Sequence, residues 1–141
     1  MDIKQIDHDY SVSGQITEAD LVAVKAAGFA TVICNRPDDE IEPDLHAQFM
    51  AAEATRLGLG FVYNPVSGRG MTMTNLQAQE EAIAASSGPV LAYCRSGMRS
   101  TVVWSLVNAK NLPADEIIAT AAGAGYSLDN LRPQIEAFAQ S

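Results

Sequence analysis

The chain has 141 residues, 48% of them hydrophobic and 18% charged, which is one domain's length and excludes a disordered chain. Nine basic against 17 acidic side chains leave a net charge of −8, which argues against nucleic acid or an anionic membrane face as partner. Two cysteines make no disulfide framework, no run of about 18 apolar residues is present to span a membrane, and the opening MDIKQIDHDY lacks the apolar stretch of a secretory signal; the expected location is a reducing cytoplasm.

In chain order, residues 10–13 form a short predicted strand ending at Gly14. Thr17 with Asp20 three residues on makes a capping box, and the helix it starts runs past Leu21 and Val24 to stop at Gly28. A strand over 31–34 leads into the loop Arg36-Pro37-Asp38-Asp39-Glu40, which Pro37 keeps from continuing the strand. A helix over 44–57 closes at Gly58, and a strand over 61–63 opens a loop containing Gly68 and Gly70. A helix over 74–86 is broken by Gly88-Pro89. The run 90–93, Val-Leu-Ala-Tyr, has no polar interruption, as the centre of a parallel sheet requires. After a polar loop over 94–98, a mostly apolar helix covers 100–110. One more helix lies between Leu112-Pro113 and Gly123-Ala124-Gly125, and a last one over 127–140 is interrupted near Pro133. Strands alternating with helices predict a single α/β domain, a parallel-type central sheet covered by helices.

The chemistry concentrates in Tyr93-Cys94-Arg95-Ser96-Gly97-Met98-Arg99-Ser100. A strand delivers a cysteine into a short loop and a helix begins at once. Backbone N–H groups of such a loop, with the free ones of the helix's first turn, converge on one point, an anion site. Arg95, Ser96, Gly97, Met98 and Ser100 are its expected lining. The N–H groups, the helix dipole and a neighbouring arginine all favour a thiolate nucleophile. Gly97 lets the loop turn inward, and Arg99 offers a fork for an oxyanion.

YCRSGMRS resembles the active loop of rhodanese-type sulfurtransferases, which place Arg after Cys and four intervening residues. Protein tyrosine and dual-specificity phosphatases use five, usually with His before the Cys; here Tyr93 precedes Cys94, and Ser100 stands where their arginine would be. The stretches Tyr10-Ser11-Val12-Ser13-Gly14-Gln15, Gly28-Phe29-Ala30-Thr31-Val32-Ile33 and Asn35-Arg36-Pro37-Asp38-Asp39-Glu40 are similar to a bacterial phosphatase-like family that is also found fused to β-lactamase-like hydrolases handling persulfides. That resemblance implies a dual-specificity-phosphatase-like fold over nearly the whole chain.

Phosphatases of this kind protonate the leaving group with an aspartate from an upstream loop, and the matching loop over 65–70 carries no carboxylate. General acid catalysis is worth about 10²–10⁴-fold, whereas sulfite or a thiolate leaves as a stable anion. The first expectation is therefore sulfur transfer. Cys94 attacks the sulfane sulfur of a small sulfur-containing anion or persulfide donor and becomes a persulfide. Arg99 holds the departing oxyanion, and a thiol acceptor takes the sulfur. The alternative is a phosphatase working through phosphocysteine on a phosphorylated substrate, with its proton from Asp38, Asp39 or Glu40. A third reading is an anion-binding module without turnover.

Arg36, Arg69, Arg95 and Arg99 all follow predicted strands or lie in the loop, so they gather at the crevice where carboxyl ends of parallel strands meet. Cys34 ends its strand near the same crevice, either as a small buried hydrophobe or as a resolving thiol for Cys94. The acidic run from Asp38 to Asp44 reads as a solvated loop with a helix start that welcomes negative charge. His8 and His46 lack partners at ligand spacing, so no metal and no cofactor is expected.

Overall fold

The computed structural model describes residues 1–67 and 70–141. Five strands form one sheet in the order β1-β2-β5-β3-β4. They are β1 (Lys4–Gln5), β2 (Tyr10–Ser13), β3 (Thr31–Cys34), β4 (Gly60–Tyr63) and β5 (Val90–Tyr93). β1 runs antiparallel along β2, and every other pairing is parallel. β5 is central, in register with β2 (Ser13 opposite Tyr93) and with β3 (Cys34 opposite Tyr93).

The apolar run of β5 follows from that position. Val90 and Ala92 pack on one face with Trp104, Ile117, Leu128 and Ile135. Leu91 and Tyr93 pack on the other with Leu21, Val24, Met50 and Ala54. A strand covered on both sides has no polar face to show. The helices are α1 (Glu18–Ala26), α2 (Ala47–Arg56), α3 (Met73–Ala85), α4 (Met98–Val107), α5 (Ala114–Gly123) and α6 (Arg132–Ala139). Among the described residues no helix is long and apolar enough to cross a membrane.

Most elements stand within two or three residues of their sequence expectation, and the Thr17–Asp20 capping box is formed. Four differences have physical causes. The chain at 43–45 forms a one-turn helix, and α2 starts only at Ala47, because His46 is extended. α4 begins at Met98, two residues early, since Gly97 in the left-handed region (φ 93°) already turns the chain into it. Pro133 lies in the first turn of α6 and starts the helix rather than interrupting it, as a residue without an N–H should. The two-residue β1 is too short for any periodicity to reveal.

A buried set of amides ties the sheet's active edge together. Asn35, just past β3, and Gln79 of α3 exchange two hydrogen bonds of 2.9 and 3.0 Å. Gln79 also accepts from Asn64 Nδ2 (2.8 Å) and donates to the Tyr10 hydroxyl (3.0 Å). Asn35 donates to the Asn64 carbonyl (2.9 Å) and accepts from Ser100 Oγ (2.9 Å). Asn75 donates to Asn64 Oδ1 (2.8 Å) and the Pro65 carbonyl (3.0 Å). Tyr10 closes the set on the Ser100 carbonyl at 2.7 Å. Loss of Gln79 would leave Asn35, Asn64 and Tyr10 each short of a partner, at about 1–3 kcal/mol per orphaned buried group.

Candidate active site

Four parallel strands end at one edge of the sheet, so the segments that follow them converge there. The segment after β5 is the tightest. Cys94 is 1% exposed, and its sulfur accepts the Gly97 N–H at 3.1 Å. Two further contacts fix the loop against the segment after β2. The Cys94 N–H reaches the Ser13 carbonyl at 3.3 Å and the Gln15 N–H reaches the Arg95 carbonyl at 3.4 Å. A Cβ on Gly14 would stand 3.0 Å from that Arg95 oxygen, so only glycine fits without displacing the loop. On the helix side, the Thr101 N–H and hydroxyl both hold the Gly97 carbonyl, at 3.0 and 2.8 Å. The Met98 N–H meets Ser96 Oγ at 3.3 Å.

Arg99, in the first turn of α4, reaches across to the loop after β3. Its Nη1 donates to Glu40 Oε2 (2.9 Å) and the Val66 carbonyl (2.6 Å), and its Nη2 donates to Glu40 Oε1 (2.6 Å). These bonds hold the Glu40 carboxyl below the usual carboxylate range, and the charges of Arg99, Arg36 and Arg95 add to them against partial burial. The same bonds raise the Arg99 guanidinium, with the Cys94 sulfur adding a smaller push. Three of the fork's five N–H groups are thus spent on Glu40 and Val66. Arg36 clasps the same turn, through Nη2 to the Glu40 carbonyl at 2.9 Å and Nη1 to Gln15 Oε1 at 3.3 Å.

A depressed folded-state value means that Glu40 stabilises the fold above the ordinary carboxylate range and loses that effect as pH falls through its folded value. Glu40→Gln is expected to unfold earlier than the wild type near neutral pH by about 0.5–1 kcal/mol, since the pair is partly solvated. The gap should begin to narrow below about pH 4.3, the ordinary glutamate value, and close only below the lower folded-state value. Thermal unfolding at both pH values checks this, and a gap unchanged in acid refutes it.

The loop brings together Cys94, Arg95, Ser96, Gly97, Met98 and Arg99. Arg95, Ser96 and Met98 are exposed on its rim. The Ser100 hydroxyl is turned into the buried amides, on Asn35. Arg69 lies outside the described residues. The acidic run is largely exposed, as expected, with two of its carboxylates engaged: Glu40 grips Arg99, and Asp38 Oδ1 accepts the Ala47 N–H at 2.9 Å, capping α2. Asp39 is exposed. Cys34 is 3% exposed, its Sγ lies 3.3 Å from the Arg36 carbonyl, and burial pushes its thiol up. That is the behaviour of a packed hydrophobe. The reading by sequence missed Gln15, the Val66 carbonyl and Tyr126, whose hydroxyl donates to the Ser96 carbonyl at 2.9 Å. Nothing in one sequence marks residues that meet the loop only through the fold.

A parallel sheet whose central strand ends in a buried cysteine, followed by a glycine-turned loop and a helix carrying arginine, has the fold of dual-specificity and tyrosine phosphatase-like structures. The chain belongs to the family described as the phosphatase-like domain of beta-lactamase hydrolase-like proteins, whose model matches residues 2–111. It is 31% identical over 130 residues to a beta-lactamase hydrolase-like protein of Xylella fastidiosa (strain Temecula1), covering 91% of this chain and 30% of that protein. The chain thus spans under a third of the length of that curated relative. A crystal structure from Neisseria meningitidis, described as that of a candidate phosphatase, aligns with a TM-score of 0.85 at 34% identity over 98% of this chain and 99% of its own. Kinase-associated phosphatase, with its catalytic-site cysteine replaced by serine, has the same fold at a TM-score of 0.77 and 11% identity, over 99% of this chain and 94% of its own. These relatives bear out the expected fold. They favour the phosphatase reading over sulfur transfer, and nothing in them attaches the Cys94-to-Arg99 spacing to the rhodanese type.

Proposed function

We propose that the domain is a cysteine-dependent phosphatase that works through a phosphocysteine on substrates with a good leaving group: aryl phosphates, acyl phosphates or phosphoanhydrides. The observation that carries this is Cys94 at the strand–loop–helix junction, with the Gly97 N–H 3.1 Å from its sulfur and Arg99 held beside it by Glu40. The thiolate attacks phosphorus, an S–P bond forms, and the P–O bond to the leaving group breaks, the electron pair leaving with that oxygen. Water then attacks phosphorus, gives up a proton to solvent, and releases phosphate and the thiolate. Loop N–H groups and Arg99 face the charge on the transferring group.

The restriction to good leaving groups follows from the carboxylates. Arg99 keeps Glu40 ionised, so it has no proton to give near neutral pH. Asp38 is engaged at the start of α2. Without a placed acid an alkoxide leaves slowly, by about 10²–10⁴-fold. The same shortage, with the four-residue spacing from Cys94 to Arg99, favours sulfane-sulfur transfer as the second reading.

Intact-protein mass spectrometry after p-nitrophenyl phosphate, and separately after thiosulfate, distinguishes them. The expected result is a phosphate adduct on Cys94 and release of p-nitrophenol at least about 10²-fold faster than hydrolysis of an alkyl phosphate. A single added sulfur with thiosulfate and no phosphate adduct reverses the order. No adduct from either, with inorganic phosphate still bound, reduces the site to a binding module.

A further inference from the structure

We propose that Tyr126 is a positioning residue of the Cys94 loop: its hydroxyl fixes the peptide plane between Ser96 and Gly97 and thereby aims the Gly97 N–H at the Cys94 sulfur. The reasoning starts from covalent geometry. The Ser96 carbonyl and the Gly97 N–H belong to one peptide group, and in a trans peptide the two point in opposite directions; no peptide bond in the described residues is cis. Tyr126 donates to the Ser96 carbonyl at 2.9 Å, and the Gly97 N–H lies 3.1 Å from Cys94 Sγ. A carbonyl held on the outside therefore forces its N–H to the inside. The neighbouring peptide has the same arrangement, because the Arg95 carbonyl is held by the Gln15 N–H at 3.4 Å, which turns the Ser96 N–H the other way.

The peptide plane needs such a hold. Gly97 sits at φ 93°, a region in which glycine has little steric preference between alternative orientations. Turning this one peptide over would exchange an N–H for a carbonyl oxygen facing the Cys94 sulfur, and so replace a hydrogen bond by repulsion between lone pairs. Tyr126 also fills the space against Gly97, for a Cβ there would meet its Cζ at 3.0 Å. Its phenol is pushed up first by burial and then by the Cys94 charge, so it stays protonated and remains a donor.

Tyr126 is delivered by a helix end. α5 stops in a paired cap in which the Tyr126 N–H reaches the Ala121 carbonyl and the Gly125 N–H the Ala122 carbonyl, both at 2.9 Å. Gly125 takes the left-handed conformation this cap requires, at φ 100°. The backbone of Tyr126 is thus set by local sequence, and its ring packs against the core cluster that includes Trp104 and Leu128. The segment after α5 thereby acts on a loop it does not contribute to.

The kinetic part of this inference rests on the phosphatase reading; the geometric part does not. The test is Tyr126→Phe, which removes the hydroxyl and keeps the ring. In 15N-labelled protein the Gly97 amide proton, shifted downfield in the wild type by its bond to sulfur, should move upfield in the variant, while amides remote from the loop stay in place. The inhibition constant of inorganic phosphate and kcat/KM for p-nitrophenyl phosphate should each worsen by about three- to tenfold, the worth of one partly exposed hydrogen bond, with Tm nearly unchanged. A Gly97 amide at its wild-type position overturns the proposal, whatever the kinetics do. If the amide moves but neither protein hydrolyses the phosphate, the positioning role stands and the phosphatase reading falls.

Discussion

Cys94→Ser protein is expected to fold like the wild type and to lose turnover of p-nitrophenyl phosphate by at least about a thousandfold, about 4 kcal/mol of transition-state stabilisation. Serine occupies nearly the same volume and its oxygen can still accept the Gly97 N–H that now lies 3.1 Å from the sulfur. It is not ionised near neutral pH, so the attack on phosphorus lacks its nucleophile. The site around it is otherwise intact, and inorganic phosphate should bind within a fewfold of wild-type affinity. Steady-state kinetics and calorimetric titration of phosphate check the two halves. A serine protein that keeps its rate removes Cys94 from the reaction.

Arg99→Lys is expected to lower kcat/KM by more than about tenfold, at least about 1.4 kcal/mol. The fork holds three acceptors at once, both Glu40 oxygens and the Val66 carbonyl. An ammonium is a point charge with three donors on a flexible stem. It can follow Glu40 or a bound anion, and the nearby carboxylate competes for it. Combining the change with Glu40→Gln separates charge from shape. If the double variant recovers, Glu40 was drawing the lysine away; if it does not, the planar fork is what the reaction needs. A single variant with near wild-type kcat/KM would reduce Arg99 to its charge.

The fold was legible wherever one sequence position answers to one local cause. The β5 run lacks polar residues because both its faces are covered, and Thr17 with Asp20 caps a helix through its own side chains. The Cys94 loop was legible for the same reason, since strand, cysteine, glycine and helix lie within a few residues. What was not legible is partnership across the fold. Asp38, Asp39 and Glu40 look alike in sequence, yet one caps a helix, one is exposed and one binds Arg99. Ser100 stands among loop residues and turns away from them, because α4 begins early enough to point its hydroxyl at Asn35. Tyr126 is 32 positions from Cys94 in the chain, and only the packing of α5 against α4 and α6 brings it to the loop. Loop length, a local cue, points to sulfane sulfur, while the relatives, which resemble the chain over its whole fold, favour the phosphatase reading.

The buried amides behind the loop carry a consequence for how this domain can change over generations. Each carboxamide in the set has its donors and acceptors matched to a particular neighbour, so Asn35, Asn64 and Gln79 form something like a lock whose pins are cut to one another. A chain that alters one pin must re-cut the others before it folds well again. Drift at these positions should therefore arrive in correlated steps or not at all. The exposed rim at Arg95, Ser96 and Met98 is free to vary singly. The rim can then change while the scaffold beneath it stays fixed.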